Sequence, residues 1–133
     1  MLVEFRVKNF RSIRDEQVFS LVATSDKILK DTHSIQTEIS SVPAILRSSA
    51  IYGANASGKT NLIKAMQFMK ALVAESATMI KPGQSFTLKP FLLDAETASE
   101  PSSFEMTFIS ENIRYQYGFS LTAHRIIKEY LLV

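Results

Sequence analysis

Gly53-Ala54-Asn55-Ala56-Ser57-Gly58-Lys59-Thr60 is the stretch on which the reading of this chain turns. Its spacing, G-x-x-x-x-G-K-[ST], is that of a loop that wraps its backbone N–H groups around phosphate. Each residue type has a reason to be there. Gly53 and Gly58 let the backbone turn tightly and come close to an anion. Lys59 would reach the β and γ oxygens of a nucleotide, and the Thr60 hydroxyl would hold Mg²⁺. The whole chain has 4 glycines, so two of them at this spacing ahead of Lys-Thr are poorly explained by chance.

The flanks agree with the loop. Residues 46–52 read as a short strand entering it, with Ala50, Ile51 and Tyr52 just before Gly53, as a strand–loop–helix unit requires. From Thr60 to about Ala74 there is no Pro or Gly, and Leu62, Ala65, Met66, Met69, Leu72 and Val73 recur at spacings of three and four. That periodicity predicts a helix with one face on a sheet, while Lys64, Gln67 and Lys70 point elsewhere. A helix starting here would aim its free N–H groups and the positive end of its dipole at the bound phosphates.

Composition bounds the rest. A chain of 133 residues, 46% apolar and 21% charged, suits a single domain with its own core. The start, Met1-Leu2-Val3-Glu4-Phe5-Arg6, carries charge where a signal peptide needs an apolar centre. No apolar run reaches the length of a membrane span, so a cytoplasmic protein without a membrane partner is expected. Zero cysteines exclude disulfides, thiolate nucleophiles and cysteine-based zinc sites. His33 and His124 lie far apart in sequence and read as surface residues rather than a zinc pair. A net charge of +2 is too mild to name nucleic acid as a partner.

Taken in order, Val3, Phe5 and Val7 alternate with Glu4, Arg6 and Lys8, which predicts a half-exposed strand. Residues 17–23 resume the alternation, so the two strands should pair antiparallel across a turn near residues 12–16. Arg11 and Arg14 crown that turn. Either could clamp a nucleotide phosphate, but charge and spacing alone favour a solvated turn. Residues 25–43 read as an irregular excursion with room for one short element, and residues 75–85 as a connection. Residues 86–93 look extended, interrupted by Pro90, and residues 94–103 look like an exposed polar loop. Then Phe104, Met106 and Phe108 alternate with polar neighbours, Ser110-Glu111-Asn112 turns, and Tyr115, Tyr117, Phe119 and Leu121 continue a hairpin with an aromatic face. Such a stripe reads as the buried side of a sheet rather than a base-stacking platform. Ile126 begins a third strand. The organisation expected is one incomplete domain over residues 1–133: N-terminal strands in 1–24, the loop–helix unit in 46–75 and an antiparallel β portion in 86–133.

Hydrolysis on such a loop needs a second acidic centre after an apolar strand. The candidate is Phe91-Leu92-Leu93-Asp94, whose apolar run is short and follows Pro90, so Asp94 reads as a surface turn rather than a magnesium ligand. No catalytic residue is identifiable. Binding is better supported than turnover.

Two motifs together resemble a known group. Phe5-Arg6-Val7-Lys8-Asn9-Phe10-Arg11-Ser12-Ile13, followed by the loop and Asn61-Leu62-Ile63-Lys64-Ala65, is similar to the ABC-type ATPase heads of the structural-maintenance-of-chromosomes and RecF group. Within it the chain looks most like prokaryotic defence ATPases: abortive-infection, overcoming-lysogenization-defect, Septu and retron types. Weaker similarity runs on through Pro90 to Asp94, Tyr115 to Phe119 and Glu129 to Leu131. The resemblance implies an α/β fold, the N-terminal lobe of an ABC-like head, with an antiparallel side sheet that includes the segment around Asp94. It implies ATP and Mg²⁺ as cofactors, held by Arg11, Gly53, Ala54, Asn55, Ala56, Ser57, Gly58, Lys59, Thr60 and Asn61, with Thr60 on the metal. It also implies a homodimer joined through ATP and a DNA, RNA or nuclease partner. The Walker B strand, signature helix, D-loop and switch histidine of such heads do not occur here, so a longer protein is expected, and negligible ATPase activity from this stretch alone.

Two other functions compete: a small stand-alone P-loop kinase or GTPase, and a non-catalytic interaction module. Kinases need lid arginines and an acceptor site, which the hairpin-rich last third fits poorly. The module would show no thermal shift with Mg-ATP.

Overall fold

The computed structural model describes residues 1–25, 28–75 and 85–133. The alternation at the N-terminus gives β1 (Leu2–Lys8), with Val3, Phe5 and Val7 buried. β2 (Gln17–Ser20) pairs with it antiparallel, setting Phe5 opposite Phe19 and Val7 opposite Gln17. Both expectations for these strands hold. Among the described residues the excursion after β2 carries two short elements rather than the one expected, helix α1 (Lys30–His33) and β3 (Ser34–Gln36), the latter pairing with β4 (Ala44–Leu46) in a two-stranded sheet.

The strand expected over residues 46–52 is a correction. β4 ends at Leu46, and residues 48–52 run without a ladder partner among the described residues, Tyr52 being 92% exposed. A strand needs a neighbour for its N–H and C=O groups, and the polar Arg47-Ser48-Ser49 run has none beside it. The helix after the loop does form: α2 (Lys59–Glu75) buries Ala65, Met69 and Leu72, while Leu62, Met66 and Phe68 pack against the core at its edge. Val73, expected on that face, is half exposed. Most of the connection expected over residues 75–85 lies outside the described residues.

Residues 86–92 belong to no helix or strand and residue 93 lies in a bend. The exposed loop expected over residues 94–103 is replaced by a capped turn of helix, α3 (Ala95–Ser99), with Thr97 and Ser102 buried. The segment around Asp94 is therefore not part of the side sheet. β5 (Ser102–Ser110) and β6 (Ile113–Leu121) make the hairpin, with Glu111 and Asn112 both at positive φ, as a tight two-residue turn demands. β7 (Ile126–Leu132) follows.

Five strands join in the order β2-β1-β5-β6-β7, every neighbouring pair antiparallel. The main core lies between this sheet and α2. Phe10, Phe68, Phe104 and Phe119 form a chain of rings with centroids 5.1–5.7 Å apart. The aromatic stripe is buried at Phe104, Phe119 and Leu121, as expected, while Met106, Phe108, Tyr115 and Tyr117 are only partly covered. A second cluster of Val3, Val42, Ile45 and Ile109 ties the small sheet to the start of β1.

Candidate functional site

The turn after β1 is the first half of the site. Phe10 and Ile13 exchange backbone hydrogen bonds at 2.8 Å, leaving Arg11 and Ser12 at the tip, with Arg11 at φ 53°. Asn9, also at positive φ and wholly buried, fixes this turn. Its side-chain amide donates to Thr97 O (2.7 Å) and Glu100 O (2.8 Å), and its Oδ1 accepts from Phe91 N (2.9 Å). Ser102 Oγ donates to its carbonyl. Asparagine suits the place because it combines two donors and an acceptor with tolerance of the left-handed region.

The second half is the loop of residues 53–60 and the start of α2. Ala56 and Gly58 have φ of 63° and 93°. A Cβ on Gly58 would stand 3.0 Å from Ser12 Oγ, and one on Gly53 3.0 Å from Ser57 Oγ, so both glycines sit where a side chain would crowd the loop. Lys59 Nζ bends back to Gly53 O and Ala54 O, each at 2.7 Å, and lies 3.4 Å from Ser57 Oγ. The ammonium therefore pins the loop into a ring. The Asn61 amide reaches Ser12 Oγ at 2.7 Å, joining loop and turn. At the start of α2 the Asn61 N–H donates to Gly58 O at 2.8 Å, and the positive end of the helix dipole faces the loop.

Between turn and loop lies an open cleft of about 470 Å³. Ser12, Ile13, Arg14, Asp15 and Gln17 form one wall; Ser57, Gly58, Lys59, Ile51, Tyr52 and Leu62 form the other. Of the expected site residues, Ser57, Gly58 and Lys59 line this cleft. Gly53 and Ala54 hold Lys59 from behind, and Asn61 braces the turn. Asn55, Ala56 and Thr60 belong to the exposed loop and the start of α2, outside the cleft lining. Arg11 is elsewhere: its guanidinium lies over the Phe10 ring, 5.5 Å from the centroid, and its buried Nε has no hydrogen-bond partner. Asp94 is a helix cap, accepting from Glu96 N (3.2 Å) and Thr97 Oγ (2.7 Å) and paired with Arg14 at 2.8 Å. The Thr97 hydroxyl, then the Glu96 amide, hold its carboxyl below the usual range.

A larger groove of about 850 Å³ runs between α2 and the sheet, walled by Met66, Met69, Val73, Met106 and Leu131 among others. Lys70 and Glu129 are its charged residues, so it offers no cationic cradle.

A family model described as "AAA domain, putative AbiEii toxin, Type IV TA system" matches residues 48–132, which include the whole loop and α2. The chain belongs to this AAA domain family. No curated protein and no solved structure matches it. The match to an ATPase-type domain accounts for the glycine ring, the lysine and the helix that opens directly from them. In this AAA domain the family match begins after β1 and β2, so the Ser12 wall of the cleft lies outside the matched stretch. Among the described residues no three His, Asp or Glu side chains converge to hold a metal, and no helix is long and apolar enough to cross a membrane.

Proposed function

We infer that this AAA domain binds ATP with Mg²⁺ at the cleft between the β1–β2 turn and the loop. The observation that carries the reading is the ring itself: Gly58 at φ 93° under Ser12, with Lys59 Nζ clasped by Gly53 O and Ala54 O at the mouth of α2. A tight glycine turn in which an added Cβ would crowd a serine hydroxyl, with one ammonium and a helix N-terminus beside it, suits an anion with several oxygens. Residues 53–61 would hold the phosphates and the Thr60 hydroxyl the metal. Mg²⁺, when bound, supplies positive charge to the phosphate oxygens. Arg11 would join the site only by lifting its guanidinium off the Phe10 ring, a move that would also bring its buried, unpartnered Nε to an acceptor.

The finer reading follows from the resemblance of the two N-terminal motifs and is supported by the family's defence-related description. It makes the chain the N-terminal lobe of an SMC/RecF-like head in a cytoplasmic phage-defence ATPase, paired with a second head through ATP and controlling a nucleic-acid-directed or nuclease effector. Competition against a fluorescent ATP analogue tests the core of this. ATP should displace the analogue and Lys59→Ala should weaken it by about tenfold or more, since a charge-assisted contact is removed. Equal binding by Lys59→Ala, or displacement by GTP alone, would overturn it.

A further inference from the structure

We propose that Arg14 is a second cationic ligand for a polyphosphate in this cleft, parked on Asp94 until the anion arrives. The proposal rests on the reading of the cleft given above and adds a residue on its opposite wall. Three charged side chains line the cleft: Arg14, Asp15 and Lys59. Lys59 already spends its ammonium on two loop carbonyls and the Ser57 hydroxyl. A polyphosphate carries more negative charge than one such lysine offsets, and the remaining lining cation is Arg14.

The geometry leaves Arg14 free to serve. Among the described residues its guanidinium makes one ion pair, Nη2 to Asp94 Oδ2 at 2.8 Å, with its side chain 56% exposed. A planar fork with five N–H donors can take two phosphate oxygens at once. Exposed pairs of this kind are weak and readily exchanged. Arg14 also stands on a boundary. It lines the cleft and, with Asp94, Glu96 and Glu100, a neighbouring cavity of about 140 Å³. Turning from one to the other needs a side-chain rotation, since its backbone carbonyl stays bonded to Asn9 N at 3.1 Å.

Asp94 survives the exchange. It keeps the Glu96 amide and the Thr97 hydroxyl as donors, and these, ahead of Arg14, account for its depressed pKa. α3 therefore stays capped when the arginine leaves. Arg11 differs, being packed on Phe10 and outside the cleft lining.

The test is calorimetric titration of the 133-residue chain with Mg-ATP, sodium tripolyphosphate and adenosine. Arg14→Gln should bind Mg-ATP and tripolyphosphate about tenfold more weakly, with a shallower salt dependence, and adenosine unchanged. Asp94→Asn keeps the cap acceptor and frees the arginine, so it should bind the two anions about threefold more tightly. Arg14→Lys should restore part of the loss. Wild-type binding that Arg14→Gln matches would overturn the role of Arg14 alone. Failure of the wild type to bind either anion, or equal binding by Lys59→Ala, would overturn the cleft reading and this proposal with it.

Discussion

The side-chain amide of Asn61 donates to Ser12 Oγ at 2.7 Å, so the first turn of α2 and the tip of the β1–β2 turn are held together across 49 positions of sequence. The same Ser12 oxygen stands 3.0 Å from where a Cβ on Gly58 would be. Turn and loop therefore form one unit. The cleft exists because they meet at a fixed angle.

Gly58→Ala should disrupt this unit. Its φ of 93° is strained for any side chain, and the added methyl meets Ser12 Oγ. A cost of about 1–3 kcal/mol is expected from the backbone conformation, read as a lower urea midpoint at unchanged slope. An unchanged midpoint would show that the loop is free to relax.

Asn9→Ala should cost more than any exposed substitution in the turn. It strips partners from Thr97 O, Glu100 O and Phe91 N at a position with no solvent access. With each abandoned buried group costing about 1–3 kcal/mol, a loss of about 3 kcal/mol or more is expected. Asn9→Asp, which keeps one acceptor but loses both donors, should fall between wild type and Asn9→Ala in denaturant melts only if the Phe91 bond outweighs charge burial; a midpoint at or below that of Asn9→Ala is expected.

Gly118 sits directly opposite Tyr130, where a Cβ would come within 2.6 Å of the ring carbon Cζ and the hydroxyl. Gly118→Ala should push the ring aside and break its bond to Glu105. The stability loss should be about 1 kcal/mol, the worth of one hydrogen bond. The specific readout is absorbance titration, in which the Tyr130 phenol, now pushed up to about 12 by burial and then by Glu105, should move back toward ordinary tyrosine.

Alkaline stability follows from the same groups. Tyr117, bonded to Glu129 at 2.6 Å, and Tyr130 are each held near 12, chiefly by burial, against an ordinary value of 10. The folded state thus keeps protons that the unfolded state releases. Stability from these phenols is full below pH 10 and is lost as pH rises from 10 through 12. Tyr117→Phe should flatten part of that decline in urea melts at pH 8 to 11.5; an unaltered slope would remove Tyr117 as a cause.

Much of this was legible in the sequence. The period-two alternation of Val3, Phe5 and Val7 marked a buried face, and the spacing of Ala65, Met69 and Leu72 marked the buried stripe of α2, because local periodicity reports one-sided burial directly. Glu111-Asn112 was readable as a turn. The strand over residues 46–52 was not realised, since apolar residues such as Ile51 and Tyr52 cannot report whether a neighbouring strand lies beside them. α3 was hidden because Asp94, Glu96 and Thr97 look like loop residues until their side chains are seen closing a helix cap. Asn9 was missed for a related reason: its importance lies in contacts to residues 91, 97, 100 and 102, which no local pattern encodes. In the site, the loop was written in the motif, while the opposite wall depends on the tertiary meeting of Ser12 with Asn61.

The most direct measurement is titration of Mg-ATP into ¹⁵N-labelled protein while following the backbone amides of residues 53–61. Large, saturable shifts at Gly58, Lys59 and Thr60, absent in Lys59→Ala, are expected if those N–H groups bond phosphate. Shifts confined to the groove residues Met66, Met69 and Met106, or none in the loop at saturating nucleotide, would contradict a phosphate cradle at Lys59.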